Sequence, residues 1–173
     1  KRCKMILPGL IDAHVHLRAP GGEHKEDFRS GTRAALAGGF TTVLAMPNTR
    51  PPLVSVDAFR IAQKLANSQS LCDVFLYAGA SADHIDELPR LANRAVALKI
   101  YMDDTYGPLK VRGLGTLERS LASWPENKLI CLHAEEESVA VGVALAAVTR
   151  KNVHFCHISR REEIEMIAFA KNE

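Results

Sequence analysis

Seven side chains in this sequence have types and spacings suited to metal and anion chemistry: His14, His16, Arg18, Asn48, Lys99, His133 and His157. The run Asp12-Ala13-His14-Val15-His16-Leu17-Arg18 sets two imidazoles at i and i+2. On an extended strand those positions share a face, so both rings can reach one divalent ion at about 2.1 Å. The plainer alternative is a polar lining with no ion. Asp12 and Arg18, on the same face of the strand, favour the metal.

Lys99 stands inside "AVALKIYM", an otherwise apolar run. Burying a charged ammonium there is costly, so either the side chain snorkels past the strand end to water or it is used. Desolvation favours the neutral amine, which can add CO2 and become a carbamate, an anionic oxygen ligand able to bridge two metal ions. His133 in "KLICLHA" and His157 in "NVHFCHIS" come singly, and a lone strand histidine is more often a satisfied core residue than a ligand. Their shared position near strand ends, together with the paired His14 and His16, argues for ligation, because ligands of one site must converge from different strands. His154 begins its strand, while His24 and His84 fall in polar surroundings, so these three are left out. Period-2 alternation turns Cys156 away from the face of His157, which makes it a buried thiol, and Cys131 reads as small core filler.

The elements that must carry these residues are legible as alternation. Apolar runs at about 9–16, 40–47, 72–80, 95–102, 128–134 and 152–159 read as strands, and segments of helical periodicity such as 26–39, 55–69, 137–150 and 159–173 fall between them. Ser159 and Glu162 have the spacing of a capping box for the last helix. Near-continuous apolar strands alternating with helices imply a parallel α/β sheet. It closes either as an open doubly wound sheet or as a (β/α)8 TIM-type barrel. About six βα units are present where a barrel takes eight and about 250 residues. No glycine-rich phosphate fingerprint follows the first strand. In parallel α/β folds chemistry collects at the carboxyl ends of strands, where all seven candidates fall.

With 173 residues, 47% of them hydrophobic, the chain can bury a core as one domain, residues 1–173. Its 22 basic and 20 acidic residues are scattered, leaving no basic run for nucleic acid or a membrane surface. No apolar run is long enough to span a bilayer and no secretory signal core is present, so a cytoplasmic protein is expected. Cys3, Cys72, Cys131 and Cys156 form no CxxC pair and suggest buried thiols rather than disulfides or a zinc finger.

"DAHVHLRAP" resembles the first-strand motif of the amidohydrolase superfamily, and "AMPNTRPP" is similar to the second-strand signature of its dihydroorotases. The likeness continues through "HKEDFRSGTRAALAGG", "ALKIYM", "HAEEESVA" and "HFCHISRREEIE", and extends to the dihydroorotase domain of the animal multifunctional pyrimidine-synthesis polypeptide. The resemblance implies a (β/α)8 barrel with two Zn2+ ions. His14 and His16 would hold one ion, His133 and His157 the other, and Lys99, carboxylated, would bridge them. It implies that Arg18 and Asn48 grip the substrate carboxylate and that Thr105, in a loop covering the site, touches substrate. Family chemistry is the reversible ring closure of carbamoyl aspartate to dihydroorotate, with an aspartate on the eighth strand moving the proton. A homo-oligomer is implied, with aspartate transcarbamoylase in the same polypeptide. Ala19 departs from the motif, where an acidic residue is common. The sequence opens on Lys1 and stops after the sixth unit, so the proton-shuttling aspartate is expected beyond Glu173 and these residues alone are expected to be unstable or inactive. Other cyclic amidohydrolases, of the dihydropyrimidinase or allantoinase type, and a noncatalytic dihydroorotase-like fragment or scaffold are the competing readings.

Overall fold

The computed structural model describes residues 5–105 and 107–172, so Cys3 lies outside the described residues. Strands and helices alternate in the order β1 (Leu10–Val15), α1 (Phe28–Ala37), β2 (Phe40–Ala45), α2 (Val56–Gln69), β3 (Asp73–Leu76) and β4 (Ala78–Gly79). A 3-10 helix (Ala82–Glu87) and α3 (Leu88–Ala92) lead to β5 (Leu98–Tyr101), α4 (Leu114–Ala122), β6 (Ile130–His133), α5 (Glu137–Thr149), β7 (Val153–Phe155) and α6 (Arg161–Ala170). Every strand pair is parallel and neighbours follow chain order, as β1-β2-β3 and β4-β5-β6-β7.

The run at 72–80, one strand by its sequence, is cut at Tyr77. The Tyr77 amide donates to Ala45 O at 3.0 Å on β2, whereas the next amide, Ala78, donates to Ala97 O at 3.0 Å just before β5. The chain thus changes partner within one residue, and the two short sheets form one sequential arc. The Tyr77 hydroxyl crosses to donate to Ala13 O of β1 at 2.9 Å, tying the kink to the first strand.

The central strands β5 and β6 are buried at every position, while β1 and β7 are half-exposed. Helices cover the buried strands through small and apolar residues at helical spacing, as in the α2 stripe Ala58, Ala62 and Ala66. Gly142 lets α5 approach the sheet: a Cβ there would lie 2.8 Å from the Phe155 ring and 3.0 Å from Leu132 Cδ1. Caps set where helices begin. Asp27 accepts from the Ser30 amide at 2.6 Å to start α1, and Ser55 accepts from the Ala58 amide at 3.3 Å to start α2.

The last helix starts one residue later than the Ser159 and Glu162 spacing predicts. Glu163, not Glu162, accepts the Arg160 amide at 3.3 Å, because Glu163 is buried and also takes an amide from another loop. Among the described residues no helix is long and apolar enough to cross a membrane.

Candidate metal centre

His14 lies in β1, His16 and Arg18 just beyond it, Asn48 after β2, Lys99 in β5, His133 at the end of β6 and His157 just past β7. Parallel strands in sequential order bring these ends to one rim. The His14 ring centroid is 5.4 Å from His16 and 5.4 Å from His157, so the first and last strands of the arc meet through their side chains. The His133 and His157 rings lie 4.7 Å apart, with Nδ1 of His133 hydrogen-bonded to Nε2 of His157 at 3.0 Å.

Lys99 is fully buried; its Nζ makes no hydrogen bond of good geometry and lies beside the Cys156 sulfur. Nζ lies 5.3 Å from the centroid of the Tyr101 ring, which itself packs 5.9 Å from His133. Its positive charge bears on His16, His133 and His157 together. The side chain therefore does not snorkel to water.

Each polar residue on the β1 face has an identifiable setting. Asp12 accepts the His14 amide at 3.1 Å. His16 Nδ1–H donates to the Asn48 side-chain oxygen at 2.9 Å, which fixes the tautomer that leaves Nε2 able to ligate. Asn48, expected as a substrate grip, is buried and here orients a candidate ligand. Arg18 adopts a positive φ of 61°, and its charge reaches His16. Thr105 is exposed in the loop after β5.

Burial lowers the pKa of His16 to about 4, with the Arg18, His14 and Lys99 charges adding to the effect and the Asn48 bond opposing it. Burial and then the Lys99 charge also lower His133 and His157. Near neutral pH these three imidazoles are thus unprotonated, the form that binds metal.

Alternation misplaces Cys156. β7 ends at Phe155 and His157 takes a positive φ of 41°, so the backbone bends; Cys156 is buried, while His157 stays exposed with its ring against His14 and His133. Cys156 is buried beside Cys131, His14 and Lys99. Hydrogen bonding from Cys131 holds the Cys156 thiol well below its usual range, helped by the His14 contact and the Lys99 charge, while that pairing and burial push Cys131 up. A strand end followed by a tight backbone turn was the missing signal, and period-2 reasoning cannot supply it.

Among the described residues no group of three or more His, Cys, Asp or Glu side chains is already closed on one ligation point; the rings meet in pairs. The donor set nonetheless fits divalent zinc. Two imidazole nitrogens on tetrahedral zinc sit about 3.4 Å apart, a few tenths of an ångström wider than the His133–His157 pair now sharing a proton. The unpartnered Lys99 amine lies among the imidazoles, where oxygen donors formed on it would complete two sites.

A family model described as dihydro-orotase-like matches residues 3–109. The chain belongs to the dihydroorotase-like family. It is 48% identical over 167 residues to the multifunctional protein CAD of Squalus acanthias, covering 96% of this chain and 7% of that protein. It is 40% identical to the multifunctional protein pyr1-3 of Dictyostelium discoideum, over 95% of this chain and 8% of that one. A dihydroorotase of Staphylococcus aureus is 32% identical, over 96% of this chain and 46% of the enzyme.

Solved structures share the fold. The inactive dihydroorotase-like domain of a Chaetomium thermophilum CAD-like protein superposes with a TM-score of 0.81 at 22% identity, covering 96% of this chain and 49% of that one. An L-hydantoinase from Arthrobacter aurescens gives 0.86 at 22% identity, covering 95% and 45%. The dihydroorotase-like chain therefore spans just under half of these solved chains and a small part of its multifunctional relatives.

Proposed function

We propose that residues 1–173 supply the first six βα units of a zinc-dependent cyclic amidohydrolase barrel. Its reaction is the interconversion of carbamoyl aspartate and dihydroorotate in pyrimidine biosynthesis. The observation that carries this reading is the gathering of four histidine rings around the buried, unpartnered Lys99 amine at one rim of the sheet. His14 and His16 would hold one zinc, His133 and His157 the second, and carboxylated Lys99 would bridge them. Bound there, zinc would supply a Lewis acid and a water of lowered pKa.

The chain's own residues do the rest. The Asn48 carbonyl holds His16 in its ligating tautomer. The Arg18 guanidinium offers a planar fork for a substrate carboxylate, and Asn48 and Thr105 complete the grip. The proposed barrel also needs further strands and a proton-shuttling aspartate, which residues 1–173 do not supply. The setting is cytoplasmic, as a homo-oligomer with aspartate transcarbamoylase in the same polypeptide.

The test uses the intact polypeptide. About two zinc ions per domain and dihydroorotate hydrolysis are expected, with both lost on His14→Ala or Lys99→Ala. Full activity in both variants refutes the assignment. A preference for uncharged hydantoins over dihydroorotate would shift it to a hydantoinase-type enzyme, the class of one solved structural relative. Zinc binding without turnover would make the domain a noncatalytic scaffold.

A further inference from the structure

The turn from β6 into α5 borders the metal centre. It starts directly after His133, and Glu136, a non-glycine residue, sits at φ 53° and ψ −117°. Such a backbone persists only where its surroundings over-determine it. Here two consecutive amides are claimed by carboxylates from different elements. The Glu135 amide donates to Asp103 Oδ2 at 2.7 Å, and the Ser138 hydroxyl donates to the other oxygen, Oδ1, at 3.0 Å. The Glu136 amide donates instead to Glu163 Oε1 at 2.8 Å, while Oε2 takes the Arg160 amide at 3.3 Å.

All four carboxylate oxygens are therefore committed, and hydrogen bonds to charged acceptors are the stronger kind. Asp103 follows β5, the strand of Lys99, and Glu163 belongs to α6, six residues after His157. The two clamps tie the rims of β5, β6 and β7 together around His133. An ion pair of Arg160 with Glu136 at 2.5 Å reinforces the α6 side. His133 Nε2 is 3.4 Å from Oε1 of Glu135, a residue of the same turn, without forming a hydrogen bond.

We propose that Asp103 and Glu163 are positioning residues that grip the β6–α5 turn from its two sides and so set the direction in which His133 leaves its strand. Neither touches a reacting atom. The consequence for zinc rests on the metal reading above; the clamp itself does not.

Two readouts on the intact polypeptide test it. Hydrogen exchange over residues 134–139 of metal-free protein should speed up about tenfold or more in Asp103→Ala and Glu163→Ala, the factor expected for losing one ordinary hydrogen bond. Zinc affinity, measured by chelator competition, should fall about 10- to 100-fold in the same variants. Asp103→Asn, which keeps one acceptor oxygen, should recover part of both.

Lys128→Met is the control. Its ammonium donates to Ala92 O and Ala95 O at the opposite end of the strands, so it should lower stability while leaving turn exchange and zinc affinity unchanged. Unchanged exchange in Asp103→Ala and Glu163→Ala overturns the clamp, as does an equal loss of zinc affinity in Lys128→Met. A wild-type protein that binds no zinc counts against the proposed function alone, the exchange result still deciding the clamp.

Discussion

Replacing Lys99 by methionine should move stability in opposite directions with and without metal. Lys99 is closed off from water, and its Nζ makes no hydrogen bond of good geometry, with the Cys156 sulfur beside it. A buried polar group left unsatisfied costs about 1–3 kcal/mol, and methionine preserves most of the methylene packing while removing that cost. For a domain of this size, about 2–4 °C accompanies each kcal/mol, so metal-free Lys99→Met should melt about 2–12 °C higher than wild type. The opposing effect, loss of the cation beside Cys156, is limited because that thiol can take up a proton when the ammonium is gone.

In saturating zinc the order should reverse. Wild type gains the binding free energy, about 4.1 kcal/mol at a thousand times the dissociation constant, more than the roughly 1–3 kcal/mol in the variant's favour, and the variant lacks the bridging ligand that secures it. The assay is thermal unfolding of this domain within the intact polypeptide, followed by circular dichroism with chelator and again with zinc. A metal-free variant less stable than wild type would refute the claim that Nζ is unpartnered. Equal stabilisation of both by zinc would refute its role in ligation.

Asn48→Leu should leave the fold intact but weaken zinc binding about 10- to 100-fold, because His16 loses the acceptor that fixes its tautomer; chelator competition decides it. Gly142→Ala gains about 1 kcal/mol of helix propensity yet sets a methyl 2.8 Å from the Phe155 ring, and overpacking of that kind costs about 1–3 kcal/mol. A net destabilisation in denaturant titration is expected, and a stabilised variant would show that α5 can shift freely. Backbone donors hold the Glu163 carboxyl below its ordinary pKa, so its stabilisation is complete above about pH 4.3 and disappears as the pH falls through the lower, folded value. Glu163→Gln should therefore lose stability at neutral pH and show a shallower acid-unfolding slope; an unchanged slope would exclude this carboxylate from the acid response.

Much of the architecture was written in local pattern. Alternating apolar runs and helical periodicity place the strands and helices, since a buried parallel strand must be apolar throughout and a covering helix apolar on one side. His14 and His16 were legible as a pair because two residues apart on a strand is a statement about one face. Lys99 was legible as an anomaly because a charge in an apolar strand must be explained. Three features required the folded chain. The change of partner at Tyr77 depends on hydrogen bonds to β2 and β5, which no local window contains. The inward turn of Cys156 depends on a backbone bend past the end of β7. The roles of Asp103 and Glu163 depend on a turn more than 25 residues away in sequence from each.

Residue types and their spacing thus decided which atoms could do chemistry and which elements would carry them. Tertiary structure alone decided that β1 and β7, at opposite ends of the arc, bring His14 and His157 within 5.4 Å, and which oxygen satisfies which amide. The physical reason is range. Periodicity reports the face a side chain takes relative to its own backbone, whereas convergence and hydrogen-bond satisfaction are set by chain segments that meet only when the sheet curves.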